Sequence, residues 1–237
     1  PAMSSISVTV DSMISKTKIF KNFQSNHHQL FINGKEESDL SKILPPLEYL
    51  SEFSRTEEYL VIESQNNFPT SSGLASSASG IASLVTAYEA HYDLCLDIND
   101  KVKACMLGSG SAPRSLIGGF VLMDHKDNYR CSQILKEPEW PLDVLICIAS
   151  KEPKKISSRK GMEISKKTSP IYQDWLDVND KHINLALNAI KDKDMSALEI
   201  VTEENCKLMH EVMKTSIPSI SYMTDLTYSC LSEIENL

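Results

Sequence analysis

The order of strand-like and helix-like patterns constrains the fold of this chain more than any other feature. Short alternating or apolar stretches, typical of β-strands, occur within the first 150 residues. After Pro170, apolar residues instead recur at helical spacing. This segregation predicts an α+β protein with a sheet-rich N-terminal part, residues 1–142, and a helical C-terminal part, residues 143–237. A ligand cleft between the two parts would be the usual place for a binding site.

The same periodicities place individual elements. Strands are predicted at Ile6–Val10, Leu30–Ile32, Tyr59–Ser64, Gly118–Met123 and, as a buried apolar strand, Asp143–Ala149. Helices are predicted near 39–53, where Pro45 and Pro46 interrupt the pattern, and near 74–92, 98–107, 170–191, 194–214 and 219–236. The basic run 151–167 is expected to be a solvated loop.

The composition is that of an ordinary globular protein, with 41% hydrophobic and 24% charged residues. No apolar run approaches the roughly 20 residues that cross a bilayer, and residues 1–10 lack the pattern of a signal peptide, so we expect a cytoplasmic location. The net charge of −8 argues against a nucleic-acid partner. It does not argue against a small phosphorylated ligand, which needs only a few local donors.

A loop rich in glycine and serine precedes the predicted helix at 74–92. Gly73 can take a positive φ, and the small residues Ala75, Ser76 and Ser77 leave the first helical amides unshielded. Those amides carry the positive end of the helix dipole, so an oligophosphate could bind there, with serine hydroxyls as further donors or as contacts to Mg²⁺. The residues alone support a serine-capped, tightly packed helix equally well, because there is no Walker motif.

Glycine and serine alternate again before an arginine, within Gly108–Phe120. The guanidinium of Arg114 offers a planar fork of donors that suits phosphate or carboxylate. The hydroxyls of Ser109 and Ser111 could complete an anion site. The alternative interpretation is a flexible turn followed by a surface arginine.

Both segments resemble motifs of the mevalonate diphosphate decarboxylases, a branch of the GHMP superfamily of small-molecule kinases. Pro69–Ala78 matches the phosphate-loop pattern P-x-x-x-G-L-x-S-S-A at every fixed position. Gly108–Phe120 resembles the family's G-S-G-S-A-C-R-S-x-x-G-G-F signature, with Pro113 in place of the cysteine. Further similar stretches at 1–9, 155–162, 204–210 and 218–223 extend the resemblance over nearly the whole chain.

The resemblance implies a GHMP-kinase-like two-lobed fold, a homodimer, and ATP-dependent decarboxylation of (R)-5-diphosphomevalonate to isopentenyl diphosphate. It implies that the ATP phosphates bind Pro69, Ser72, Gly73, Leu74, Ala75, Ser76 and Ser77, with Mg²⁺ at Ser77. It further implies that the substrate diphosphate binds Ser109, Ser111, Ser157 and Ser158, and that Arg114 binds the substrate carboxylate. A sister kinase, a decarboxylase of a monophosphorylated mevalonate and a non-catalytic relative are the alternatives.

Two motifs of the family do not occur in this sequence, the K-Y-W-G-K-like motif of its first strand and the late D-A-G-P-N motif with its catalytic aspartate. No acidic residue of this chain can therefore be assigned as the catalytic carboxylate. Either the sequence is part of a longer protein or the protein is inactive. Because a sheet with an unpaired edge loses stability, we expect the first explanation.

Overall fold

The computed structural model describes residues 2–69, 74–150 and 155–234. Contacts divide the chain into two units. The first comprises Ser5–Glu137, and the second comprises Ala2–Ser4 together with Pro138–Leu237. The boundary predicted at 142/143 lies close to this division, and its role as a limit between folding domains stays a prediction.

The first unit contains two sheets. Their strands are β1 Ser5–Val8, β2 Ser15–Lys21, β3 Gln29–Ile32, β4 Lys35–Glu37, β5 Leu60–Asn66, β6 Phe120–Asp124 and β7 Arg130–Leu135. One sheet has the order β1-β6-β7 and the other the order β2-β5-β3-β4. All neighbours are antiparallel except β3 and β5, which are parallel. Within the described residues, β1 and β2 each form an edge of their sheet.

Four of the predicted strands are present, as β1, β3, β5 and β6. In β5 the alternation of the sequence becomes an alternation of burial, because Leu60, Ile62 and Ser64 are buried while Glu63 and Gln65 are exposed. The sequence patterns did not identify β2 or β7. In β2 the alternating lysines face outward and only Ile19 is buried, so the apolar signal is weak.

The first unit contains three helices, which share a core with the four-stranded sheet. They are α1 Leu44–Ser54, α2 Ser76–His91 and α3 Ile98–Gly108, and a short 3₁₀ helix follows at Ala112–Leu116. The shared core includes Leu50, Ile62 and Val85. Pro45 and Pro46 do not interrupt a helix as predicted, but occupy the first turn of α1. A proline fits there because the first amides of a helix have no intrahelical acceptor.

The second unit is helical, with α4 Ser158–Thr168, α5 Tyr172–Asp192, α6 Met195–Lys214 and α7 Asp225–Ile234. The last three confirm the predicted helices. The prediction of a loop over 151–167 was wrong for its second half, because Ser157 caps α4 by accepting a hydrogen bond from the Lys160 amide at 3.3 Å. None of the helices in the described part of the chain is long and apolar enough to span a membrane.

The prediction of a buried strand at Asp143–Ala149 was wrong. These residues form no strand, and Leu145 in their middle is 91% exposed. A strand needs a neighbour for its backbone hydrogen bonds, and the described residues of the second unit contain no strand. The prediction of burial from this apolar run assumed a neighbouring strand, and the described residues provide none.

Candidate functional site

An open groove of about 650 Å³ in the first unit brings the two predicted anion-binding segments together. It is lined by β1, β2, one face of α2 and the 3₁₀ helix Ala112–Leu116. Leu74 and Ala75 line it from the glycine–serine loop, and Ser111 and Arg114 line it from the second segment. This volume lies in the range of pockets that hold small ligands. Of the other predicted nucleotide ligands, Ser72 and Gly73 lie outside the described residues.

The start of α2 has an unusual backbone. Ala75 precedes the helix in the left-handed conformation, with φ 56° and ψ 27°, and its carbonyl accepts hydrogen bonds from the amides of Ala78 and Ser79. A left-handed residue other than glycine costs about 1 kcal/mol, and such strain concentrates at functional sites. The first residues of the helix, Ser76 and Ser77, are small enough to leave the helix end accessible.

Ser77 has a neighbour that the sequence motifs did not indicate. The ammonium Nζ of Lys42 donates a hydrogen bond to Oγ of Ser77 at 3.0 Å, and both side chains are exposed. A lysine beside a helix N-terminus adds a mobile positive charge that suits a phosphate group. Lys42 was missed because it lies 35 residues before Ser77 and belongs to no motif. Its ammonium already contacts the hydroxyl predicted to bind Mg²⁺, so the metal role of Ser77 stays a prediction.

Ser109 and Ser111 lie together at the end of α3. Their hydroxyl oxygens are 3.3 Å apart, and both side chains are half-buried. Ser109 ends the helix with its amide bonded to the Cys105 carbonyl at 2.9 Å, so its position is fixed by helix geometry. Two hydroxyls at this spacing can donate to two oxygens of one phosphate group.

Gly108 allows this helix end to approach its neighbours. A Cβ atom at this position would lie 2.8 Å from Cδ1 of Ile81 and 2.8 Å from the backbone oxygen of Lys42. Glycine therefore lets α3 pack closely against α2 and against the segment that carries Lys42. This close packing brings the backbone of Lys42 next to the end of α3, where Ser109 and Ser111 lie.

Arg114 is a half-buried cation without an acidic partner among the described residues. Its Nη1 donates a hydrogen bond to Oγ of Ser5, and its Nε is buried with no acceptor in the described part of the chain. Burial lowers the pKa of the guanidinium, which the nearby Cys131 partly opposes. The side chain nevertheless stays charged, as arginine does in proteins. A desolvated charge of this kind is stabilised by an anion that binds to it.

Ser157 and Ser158 belong to the second unit, at the start of α4. Both are exposed, and Oγ of Ser157 accepts a hydrogen bond from the Lys160 amide as the helix cap. A capping hydroxyl keeps its own proton for donation to a ligand. The predicted contact of these serines with the substrate diphosphate stays a prediction.

Together these features define an α+β protein with a candidate anion-binding groove, which is lined by residues next to the start of α2, by Ser111 and by Arg114, a cation without an acidic partner among the described residues. Comparison with known protein families identifies the family to which the chain belongs. Residues 1–133 match the diphosphomevalonate decarboxylase-like N-terminal domain, and residues 144–237 match the mevalonate 5-diphosphate decarboxylase C-terminal domain. The chain belongs to the diphosphomevalonate decarboxylase family.

Individual relatives support the same assignment. The diphosphomevalonate decarboxylase of Candida albicans is 33% identical, over 100% of this chain and 71% of its own length. That of Ganoderma lucidum is also 33% identical, over 99% of this chain and 64% of its own length. A solved structure of MDDEF in complex with MVAPP, AMPPCP and magnesium superposes with a TM-score of 0.87 at 29% identity, covering 100% of this chain and 74% of that one.

These comparisons confirm the predicted family, the α+β fold and the enzyme class of an ATP-dependent decarboxylase. The chain spans 64% to 71% of the length of these two curated relatives. The presence of AMPPCP and magnesium in the MDDEF structure agrees with the predicted ATP and Mg²⁺.

Proposed function

We propose that this chain binds Mg²⁺-ATP and (R)-5-diphosphomevalonate for the decarboxylation that yields isopentenyl diphosphate, ADP, phosphate and CO₂. The observation that carries the proposal is the position of Arg114, a half-buried cation without an acidic partner among the described residues, in the groove that also contains the start of α2. Family membership supports the same reaction.

Arg114 would bind the substrate carboxylate through its planar fork of donors. The carboxylate would then be held in one orientation beside the carbon from which the 3-oxygen departs, until it leaves as CO₂. The hydroxyls of Ser109 and Ser111 would bind the diphosphate, and the same role for Ser157 or Ser158 rests on the family resemblance alone. Holding both ends of the substrate fixes the reacting carbon, which is the main contribution that positioning makes to such reactions.

The start of α2 fits the triphosphate of a nucleotide. The loop before it would place Pro69, Ser72, Gly73 and Leu74 around the phosphates, and Ala75 and Ser76 would present the helix end. Ser77 would contact a phosphate or the Mg²⁺ ion, and Lys42 would pair with the phosphate charge. When bound, Mg²⁺-ATP supplies the phosphoryl group that converts the poor 3-hydroxyl leaving group into phosphate.

Calorimetric titration of the chain and of Arg114→Ala tests the proposal. We expect Arg114→Ala to weaken binding of diphosphomevalonate by at least about tenfold, because it removes a charge-assisted pair, and to change binding of Mg²⁺-AMPPCP by less than about twofold. Equal losses for the two ligands would contradict the carboxylate role.

Substrate rank is tested separately. We expect the monophosphorylated mevalonate to bind at least about tenfold more weakly than the diphosphorylated form, because it offers fewer oxygens to the serine hydroxyls. Equal affinities would favour a decarboxylase of the monophosphate instead.

We also propose a cytoplasmic location and a homodimer on the family resemblance, and sedimentation of the purified chain tests the dimer.

A further inference from the structure

The guanidinium of Arg114 contacts a side chain that lies in the family-like stretch 1–9 but to which the resemblance gives no role. Nη1 of Arg114 donates to Oγ of Ser5, which lies 109 residues earlier in the chain. Both side chains are half-buried, so water competes less for this hydrogen bond than it would on the surface. Ser5 is the first residue of β1 and pairs with Met123 of β6, so its hydroxyl is carried by a sheet rather than by a loop.

The position of Ser5 relative to the groove indicates how the hydroxyl acts. Among the described residues Arg114 lines the groove, whereas Ser5 does not. The hydroxyl therefore contacts the guanidinium without itself lining the groove. The Nε–H of Arg114 is enclosed, and one of the two hydrogens on Nη1 is donated to Ser5. The other hydrogen on Nη1 and the two on Nη2 remain as donors for an anion.

We propose that Ser5 is a positioning residue for the substrate carboxylate, because its hydroxyl fixes the plane of the Arg114 guanidinium before the ligand binds. An arginine side chain is long and flexible, and its rotamer freedom is lost when it binds a carboxylate in a defined geometry. A hydrogen bond that orients the fork in advance reduces this loss. This inference rests on the proposed function of Arg114 and deepens it.

A double-mutant cycle separates positioning from a structural effect. Titration with diphosphomevalonate would compare the wild type with Ser5→Ala, Ser5→Thr, Arg114→Ala and the double variant Ser5→Ala/Arg114→Ala. We expect Ser5→Ala to weaken binding by about tenfold, which is the loss of affinity that corresponds to one hydrogen bond to a charged group. Ser5→Thr keeps the hydroxyl, so its affinity should stay within about twofold of the wild type. In the Arg114→Ala background, Ser5→Ala should have no further effect.

Each other outcome is decisive. If Ser5→Ala weakens binding equally with and without Arg114, or leaves the wild-type affinity unchanged, the positioning role is wrong. If Arg114→Ala itself leaves the affinity unchanged, the proposed function of Arg114 fails, and this inference fails with it. Ser132→Ala, an exposed strand serine on β7, is the matched control and should leave the affinity unchanged.

Nitrogen-detected NMR of the ligand-free chain gives a second readout that needs no substrate. We expect separate Nη1 and Nη2 signals for Arg114 in the wild type, because the bond to Ser5 hinders rotation of the guanidinium. In Ser5→Ala the two signals should merge, while the amide spectrum of the sheet stays as it was. Unchanged side-chain signals in Ser5→Ala would overturn the proposal.

Discussion

At the scale of single residues, the site is defined by polar groups that have too few partners within the described protein. The Nε of Arg114 is buried and unbonded, and no acidic side chain that the structure describes neutralises the guanidinium. A half-buried charge without an acidic partner among the described residues is costly, and this favours a role for Arg114 in binding an anion. Lys42, beside Ser77, places another positive charge at the start of α2.

Replacement of Ser77 tests the nucleotide end of the site. Ser77→Val removes the hydroxyl that accepts from Lys42 and places methyl groups at the helix start, so we expect binding of Mg²⁺-AMPPCP to weaken by about tenfold. Calorimetric titration measures the effect. The control is Ser196→Val, because Ser196 is also an exposed serine at the second position of a helix. Equal nucleotide affinity in both variants would remove Ser77 from the site.

At the scale of elements, close packing of α2 and α3 sets the position of the anion-binding groups. Gly108 is the contact point, since a side chain there would collide with Ile81 and with the backbone oxygen of Lys42. Ile81 can adjust its rotamer, but the backbone before α1 cannot move without disturbing the buried Leu47 and Leu50.

Gly108→Ala should therefore destabilise the chain by about 2 kcal/mol, as overpacking in a tight interior does. Chemical unfolding of wild type and variant measures the free energy difference. Gly80→Ala is the matched control, because Gly80 lies inside α2 with nothing within 4 Å of a new Cβ. That variant should gain about 0.5 kcal/mol from helix propensity. A similar loss of stability in both variants would contradict the packing argument.

Sequence patterns predicted the elements whose signal is local. The alternation in β5, the apolar spacing of α5 and α6, and the small residues at the start of α2 all belong to one segment each. The patterns failed where structure depends on distant neighbours. Lys42 and Ser5 enter the site only because the fold brings them to Ser77 and Arg114, across 35 and 109 residues. Motif spacing carries no information on such contacts.

At the scale of the whole molecule, the apolar run Val144–Ile148 is an exposed surface. Its residues were predicted to be buried, yet Val144, Leu145, Ile146 and Ile148 are exposed, since no described strand of the second unit pairs with them. Unpaired apolar segments rich in β-branched residues promote association between chains.

Leu145→Lys should therefore reduce association of the isolated chain at high concentration, because a charge opposes strand pairing between copies. Static light scattering over a concentration series measures the effect. Phe23→Lys is the control, since Phe23 is 84% exposed but lies outside this run. If both variants reduce scattering equally, general charge rather than this segment governs association.

The central claim is that Arg114 recognises a carboxylate in a groove that also binds phosphate groups. The most direct test compares diphosphomevalonate with isopentenyl diphosphate, which has the diphosphate but no carboxylate, by calorimetric titration of wild type and Arg114→Ala. We expect the wild type to prefer diphosphomevalonate by at least about tenfold, and the variant to bind the two ligands with similar affinity. A preference that is undiminished in Arg114→Ala would contradict the account.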